Sequence, residues 1–258
     1  MVSETILKHG DLPTAHKATL RVLTVIELLT TEDDGLTMAQ IGGRLGIPKG
    51  TLSPILHTMR DTGFLRFDVG TGRYRIGMRA YLAGRTYERT SDDLARIEAV
   101  MRGVVDSCGE TCQLGVLDGS QALYVAKVDS PASVQLVTDV GRLMPLHCTA
   151  VGKALLSDKT SEELDRILPR EFEAHTPMTT RTRAELDAQL ERVRELGFAE
   201  DPGEVLPDVE CIAVPISRDG HVAYGMSVST PSYRMSVEKR GRILEALRAA
   251  QKELTDTL

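Results

Sequence analysis

At 258 residues, with 41% hydrophobic and 26% charged positions, the chain has the length at which one core gives way to two, so two domains are expected. No apolar run approaches the ~18 residues of a membrane span, and the first residues lack the basic and apolar regions of a secretory signal. An aromatic content of 4% without Trp argues against an aromatic-cage or carbohydrate binder. The net charge of −6 is unevenly spread. Residues 1–90 carry +3, residues 91–258 carry −9, and residues 35–80 hold 7 basic against 2 acidic side chains, which confines attraction for phosphate to one stretch. A cytoplasmic location is expected, where Cys108, Cys112, Cys148 and Cys211 remain free thiols and read as small buried hydrophobes. Cys108 and Cys112 alone complete no tetrahedral set, so no metal residues are assigned, a metal in the second domain stays open, and no cofactor is expected.

Residues 1–15 show no periodicity and read as a disordered tail. From His16 to Thr31 apolar side chains recur at Leu20, Val22, Leu23, Val25, Ile26, Leu28 and Leu29, a buried helix ended by Asp33-Asp34-Gly35. Thr37 with Gln40 forms a capping box that opens a short helix through Leu45. Gly46-Ile47-Pro48 turns the chain into a helix from about Lys49 to Asp61, which buries Leu52, Ile55, Leu56 and Met59 and ends at Gly63. Strands over Phe64–Asp68 and Arg73–Ile76 alternate Leu65 and Phe67 against Arg66 and Asp68, and Tyr74 and Ile76 against Arg73 and Arg75. Two short helices, a glycine turn and a basic hairpin make a winged helix-turn-helix over residues 16–77.

With one stripe of its second helix buried, that unit presents Lys49, Gly50, Thr51, Ser53, Pro54, His57 and Thr58 outward. This is a small, polar face that lets backbone approach base edges. Arg66, Arg73 and Arg75 on the wing suit phosphates or the minor groove. Pro54 lacks an N–H and clashes with the carbonyl four residues back, so this helix either effectively begins near Gly50 or is kinked. The candidate DNA-binding set is therefore Lys49, Gly50, Thr51, Ser53, His57, Arg66, Arg73 and Arg75, and the partner is double-stranded DNA.

A helix over Met78–Arg89 with Met78, Tyr81 and Leu82 as an apolar stripe serves as a linker across residues 78–90. Beyond it, residues 91–258 alternate elements. Thr90 or Ser91 caps a helix to Ser107. Strands are expected at Thr111–Leu117, Ala122–Val128 and Val134–Val140, and a helix from about Thr149, with His147 read as capping it. Capping boxes Thr160/Glu163 and Thr182/Glu185 open two more helices. Strands Cys211–Ser217 and His221–Ser229 flank the hairpin turn Arg218-Asp219-Gly220. The last helix is expected to bury Val237, Leu244, Leu247 and Leu254. Helices mixed with hairpin-connected strands describe an α+β domain rather than a βαβ sheet.

Enzyme signatures fail. Gly225-Met-Ser-Val-Ser229 lacks the last glycine of a nucleophile elbow, and its strand continues. Gly152-Lys153 lacks the first glycine and the Ser/Thr of a phosphate loop. A methyltransferase using the winged helix only to dimerise is the alternative, but no glycine-rich nucleotide loop follows a strand. No enzymatic activity is expected.

Leu146-His-Cys-Thr-Ala-Val-Gly-Lys-Ala-Leu-Leu156, Gly197-Phe-Ala-Glu-Asp-Pro-Gly-Glu204, Cys211-Ile-Ala-Val-Pro215 and Met226-Ser-Val-Ser-Thr-Pro231, together with the winged motif, resemble the IclR family of transcriptional regulators over nearly the whole chain. The resemblance implies a linker helix leading to a GAF/profilin-like effector-binding and oligomerisation domain. It also implies homodimers or tetramers on palindromic operators, and a small organic acid or aromatic catabolite, carboxylate-bearing, as effector. Carried over residue by residue, the effector site is the backbone at Ala150 and Val151 with Asp201, Cys211, Ser227 and Ser229. Ser227 and Ser229 lie two apart on a strand and project from one face.

Overall fold

The computed structural model describes residues 16–90, 92–132 and 139–258, which pack as two compact units divided between Asp92 and Asp93. The proposed N-terminal tail and Ser91 lie outside the described residues, as does the strand expected from Val134 as far as residue 138.

In the first unit, helix α1 (Lys17–Thr30) buries Leu20, Val25, Leu28 and Leu29. Strand β1 (Leu36–Thr37) then leads into α2 (Met38–Leu45) and α3 (Lys49–Asp61). Thr37 caps α2: its Oγ1 accepts the Gln40 N–H while Gln40 Oε1 accepts the Thr37 N–H at 2.9 Å, the expected box. Gly46, at φ 63°, turns α2 toward α3 in a conformation that costs a side-chain-bearing residue about 1–2 kcal/mol. Helix α3 begins at Lys49 and runs unbroken through Pro54, its sixth residue. The missing N–H leaves the exposed Gly50 carbonyl without an i+4 donor, on the side away from the core. Leu52, Leu56 and Met59 seal the other side.

Strands β2 (Leu65–Asp68) and β3 (Arg73–Ile76) form the wing, with Phe67 directly opposite Tyr74 and their rings 4.7 Å apart. Strand β1 pairs with β3 and completes a three-stranded sheet. At two residues it is too short to show alternation in the sequence. Helix α4 (Met78–Thr90) follows, with Met78, Tyr81 and Leu82 exposed on the single chain.

The second unit is built on a six-stranded sheet in the order β6-β5-β4-β9-β8-β7, antiparallel throughout. Its strands are β4 (Thr111–Asp118), β5 (Gln121–Val128), β6 (Leu143–Pro145), β7 (Ala199–Pro202), β8 (Val209–Arg218) and β9 (His221–Pro231), and its helices are α5 (Asp92–Cys108), α6 (Ala150–Leu156), α7 (Ser161–Ile167), α8 (Arg183–Leu196) and α9 (Val237–Thr255). Asp219 and Gly220, both at positive φ, make the two-residue turn whose twist suits the β8–β9 hairpin. Strand alternation divides the core. Ile212, Val214, Ile216, Met226 and Val228 face α5 and α9, meeting Ile97, Met101, Ile243 and Leu247. Ala213 and Ala199 face α6 and α8, meeting Val151, Leu155, Leu186 and Leu190.

Three expectations need correction. Val237 is 87% exposed, because it opens α9 ahead of the turn that reaches the sheet; the buried stripe is Ile243, Leu247, Ala250 and Leu254. His147 does not cap α6. That cap is Thr149, whose Oγ1 accepts the Gly152 N–H at 3.0 Å. Strands β6 and β7 have no counterpart among the expected strands: they are the two sheet edges, three and four residues long, each ending in proline, and such edges carry little periodic signal.

Candidate functional site

Two surfaces carry the residues singled out by sequence. On the winged unit, Lys49, Gly50, Pro54, His57 and Thr58 are exposed along α3, and Thr51 and Ser53 are half-buried beside them. Arg66 is exposed on β2, directly opposite Arg75 on β3. Like charges facing each other across strands are destabilising, so the pair suits an external anion. Arg73 and Arg75 also pin the turn before β1 to the wing. Arg73 Nη1 donates to the Gly35 carbonyl at 2.6 Å, and Arg75 Nε donates to the Asp34 carbonyl at 3.0 Å.

In the second unit the six residues Ala150, Val151, Asp201, Cys211, Ser227 and Ser229 all line one cavity of about 70 Å³ between α6 and the sheet. Strand register assembles it. One rung across four strands runs Thr111–Ser229–Cys211–Asp201, and the next runs Gln113–Ser227–Ala213–Ala199. Helix α6 is held close enough to cover these rungs by missing side chains. A Cβ on Gly225 would sit 2.9 Å from the Val151 carbonyl oxygen, and one on Gly115 would sit 2.6 Å from Val151 Cγ1. Met144, Val151, Val205, Leu206 and Val209 supply apolar wall.

The polar chemistry is directional. Ser229 Oγ donates to Gln113 Oε1 at 2.9 Å and lies 3.2 Å from Cys211 Sγ. Gln113 Nε2 and Ser227 Oγ are buried without a hydrogen-bond partner among the described residues. Two unsatisfied groups at one cavity cost free energy unless a ligand engages them. Burial pushes the Cys211 thiol up to about 12 and raises the Tyr124 phenol too, so both stay neutral.

Asp201 is the group most affected. It is 4% exposed, and burial raises its carboxyl to about 6, against the lowering effect of the Glu204 and Gly203 N–H groups on its Oδ1 and the nearby Lys153 charge. Because the folded-state value lies above the ordinary 3.8, the ionised form penalises folding. The penalty is full above about pH 6, fades as pH falls toward about 4, and vanishes below that. Asp201→Asn keeps the Oδ1 acceptor. It is expected to raise unfolding free energy by on the order of 2 kcal/mol at about pH 8 and by nothing below about pH 4, as read by urea titration. A gain that does not vary with pH would mean the charge is not what costs stability.

Next to Asp201, Lys153 Nζ donates to the Glu200 carbonyl at 2.8 Å and pairs with Glu204. Glu204 Oε2 accepts the Thr180 N–H and hydroxyl at 3.0 and 2.7 Å. Lys153 is thus consumed by an internal pair, and Gly225–Ser229 lies inside unbroken β9, in keeping with the rejected phosphate-loop and nucleophile readings. Gln113, Tyr124 and Thr149 line the cavity but are not identifiable from sequence as site residues. Only Thr149, as a helix cap, leaves a local signal.

Comparison with known proteins follows both units. Residues 89–255 match the sequence model of the bacterial transcriptional regulator IclR C-terminal domain, and residues 18–69 that of the IclR helix-turn-helix domain. The HTH-type transcriptional regulator BhcR of Paracoccus denitrificans is 31% identical over 237 residues, spanning 91% of this chain and 85% of its own. The HTH-type transcriptional regulator KdgR of Dickeya chrysanthemi is 29% identical over 248 residues, spanning 95% and 81%. Among solved structures, an IclR transcriptional regulator from Alicyclobacillus acidocaldarius shares the fold with a TM-score of 0.86 at 24% identity, covering 94% of this chain and 98% of that one. An IclR homologue from Microbacterium hydrocarbonoxydans, complexed with 4-hydroxybenzoate, gives 0.80 at 24% identity, covering 93% and 100%.

Proposed function

The chain belongs to the IclR family of bacterial transcriptional regulators, and from that membership we propose that the cavity under α6 takes a short carboxylic acid whose binding alters operator affinity. The convergence of Ala150, Val151, Asp201, Cys211, Ser227 and Ser229 on one cavity carries this reading. Its size narrows the ligand. An apolar cavity of about 150 Å³ accommodates benzene, whereas about 70 Å³ suits a two- or three-carbon acid. The unpartnered Ser227 hydroxyl and Gln113 amide would donate to its carboxylate.

Lys49, Gly50, Thr51, Ser53 and His57 would read base edges from α3, with Arg66, Arg73 and Arg75 on phosphates. The protein would act in the cytoplasm as a homodimer or tetramer, the exposed Met78, Tyr81 and Leu82 offering α4 an apolar face for a second copy. The chain passes from α4 into α5 between Thr90 and Asp92, so a ligand that favours one arrangement of paired winged units would act through this segment. Such coupling is worth about 1–3 kcal/mol, roughly 5–150-fold in affinity.

A gel shift on DNA from upstream of the protein's own gene tests this, with unrelated competitor DNA and two salt concentrations. The expected result is a specific, salt-weakened shift that two- and three-carbon acids change and 4-hydroxybenzoate does not. Arg66→Ala should reduce the salt slope by about one and weaken binding to all sequences alike. An unchanged slope would remove Arg66 from the phosphate contacts, and a response to 4-hydroxybenzoate alone would overturn the short-acid assignment.

A further inference from the structure

Among the described residues, a side-chain cluster lies outside the lining of the effector cavity and outside the winged unit. His147, Cys148 and His175 each bring one potential ligand atom within 4.8 Å of the other two. We propose that they form a binding site for a single zinc-like divalent ion.

The chemistry of the set is two imidazoles and one thiol, which suits a borderline-soft ion. A tetrahedral zinc site places such atoms about 3.5 Å apart, so the cluster needs a closure that the exposed His175 side chain can supply by rotation. The other two ligands are already fixed. His147 is 4% exposed and Cys148 fully buried. His147 Nε2 lies 3.1 Å from the Glu173 carbonyl, and its ring stacks on Phe172 with centroids 4.6 Å apart. A ring N–H given to a backbone carbonyl is the usual outer support of a metal-bound histidine, and leaves Nδ1 with the lone pair. The loop carrying His175 is anchored too: its N–H donates to Thr179 Oγ1 at 3.0 Å, and Thr176 Oγ1 donates to the Gly203 carbonyl at 2.8 Å. Among the described residues, neither the His175 ring nor Cys148 Sγ has a hydrogen-bond partner, so coordination displaces nothing from them. Binding converts the Cys148 thiol to thiolate, its proton passing to buffer.

The test is titration of chelator-treated full-length protein with zinc, followed by thermal unfolding, and with cobalt(II), followed by absorbance. One ion per chain is expected, with a thiolate-to-cobalt charge-transfer band and a zinc-dependent rise in Tm. Cys148→Ser should abolish the band, Cys211→Ser should keep it, and His175→Ala should weaken binding on the order of 100-fold. Because His175 is exposed, its variant should fold. No saturable binding overturns the proposal, as does a band that survives Cys148→Ser or an affinity that His175→Ala leaves unchanged. Short-acid binding does not enter these readouts, so failure here leaves the effector reading standing.

Discussion

Lys153→Met is expected to lower the unfolding free energy by about 3–5 kcal/mol, measured by urea denaturation. Both charged side chains of the Lys153–Glu204 pair are 2% exposed. Removing the lysine leaves a buried carboxylate to which, among the described residues, only Thr180 donates. The cost arises from that stranded charge rather than from the lost attraction, since a buried pair repays its own desolvation only in part. The double variant Lys153→Met with Glu204→Gln should therefore recover most of the loss, because the neutral amide can still accept from Thr180. If the double variant were no more stable than Lys153→Met alone, the pair's contribution would lie in packing and geometry. The damage should also be local to the α6–β7 junction, because Lys153 ties α6 to β7 through the Glu200 carbonyl, and Glu204 holds the Thr180 segment.

Ser227→Leu should abolish the response to the effector, raising the concentration required by on the order of 100-fold or more, while operator binding persists. Ser227 is 1% exposed, and the branched leucine would project into a cavity of only about 70 Å³. Ser227→Ala provides the graded comparison. It deletes the hydroxyl without filling space and should weaken the ligand by about 1 kcal/mol, roughly fivefold. Isothermal titration with the effector and a gel shift without it separate the outcomes. Loss of both activities in Ser227→Leu, with Ser227→Ala normal, would assign the residue to the fold of β9 rather than to the ligand.

Local elements were legible because their determinants are local. Capping boxes at Thr37, Thr160 and Thr182 stand three residues from their partners, and all three appear in the structure. The Asp219-Gly220 turn is a two-residue signal with a backbone reason. The edge strands β6 and β7 were not legible, since neither is long enough to alternate. Ala150, Val151, Asp201, Cys211, Ser227 and Ser229 came from likeness to a family; only the same-face relation of Ser227 and Ser229 follows from spacing. Gln113 had no such route. It reaches Ser227 and Ser229 because β4 pairs with β9 across more than a hundred residues, and nothing near Gln113 encodes that register.

The amino-acid sequence by itself determined the helices, the winged hairpin, the segregation of positive charge to the N-terminal stretch and the absence of the enzyme motifs, because each depends on neighbours within a few positions or on composition. Tertiary structure alone decided which side chains share a rung of the six-stranded sheet, that Arg73 and Arg75 hold the Asp34–Gly35 turn, that Lys153 is neutralised by Glu204, and that His147 and Cys148 meet His175. Those outcomes depend on strand register and on how closely backbones approach. A shift of one residue in β9 would turn Ser227 and Ser229 to the α5–α9 core and bring Val228 to the cavity.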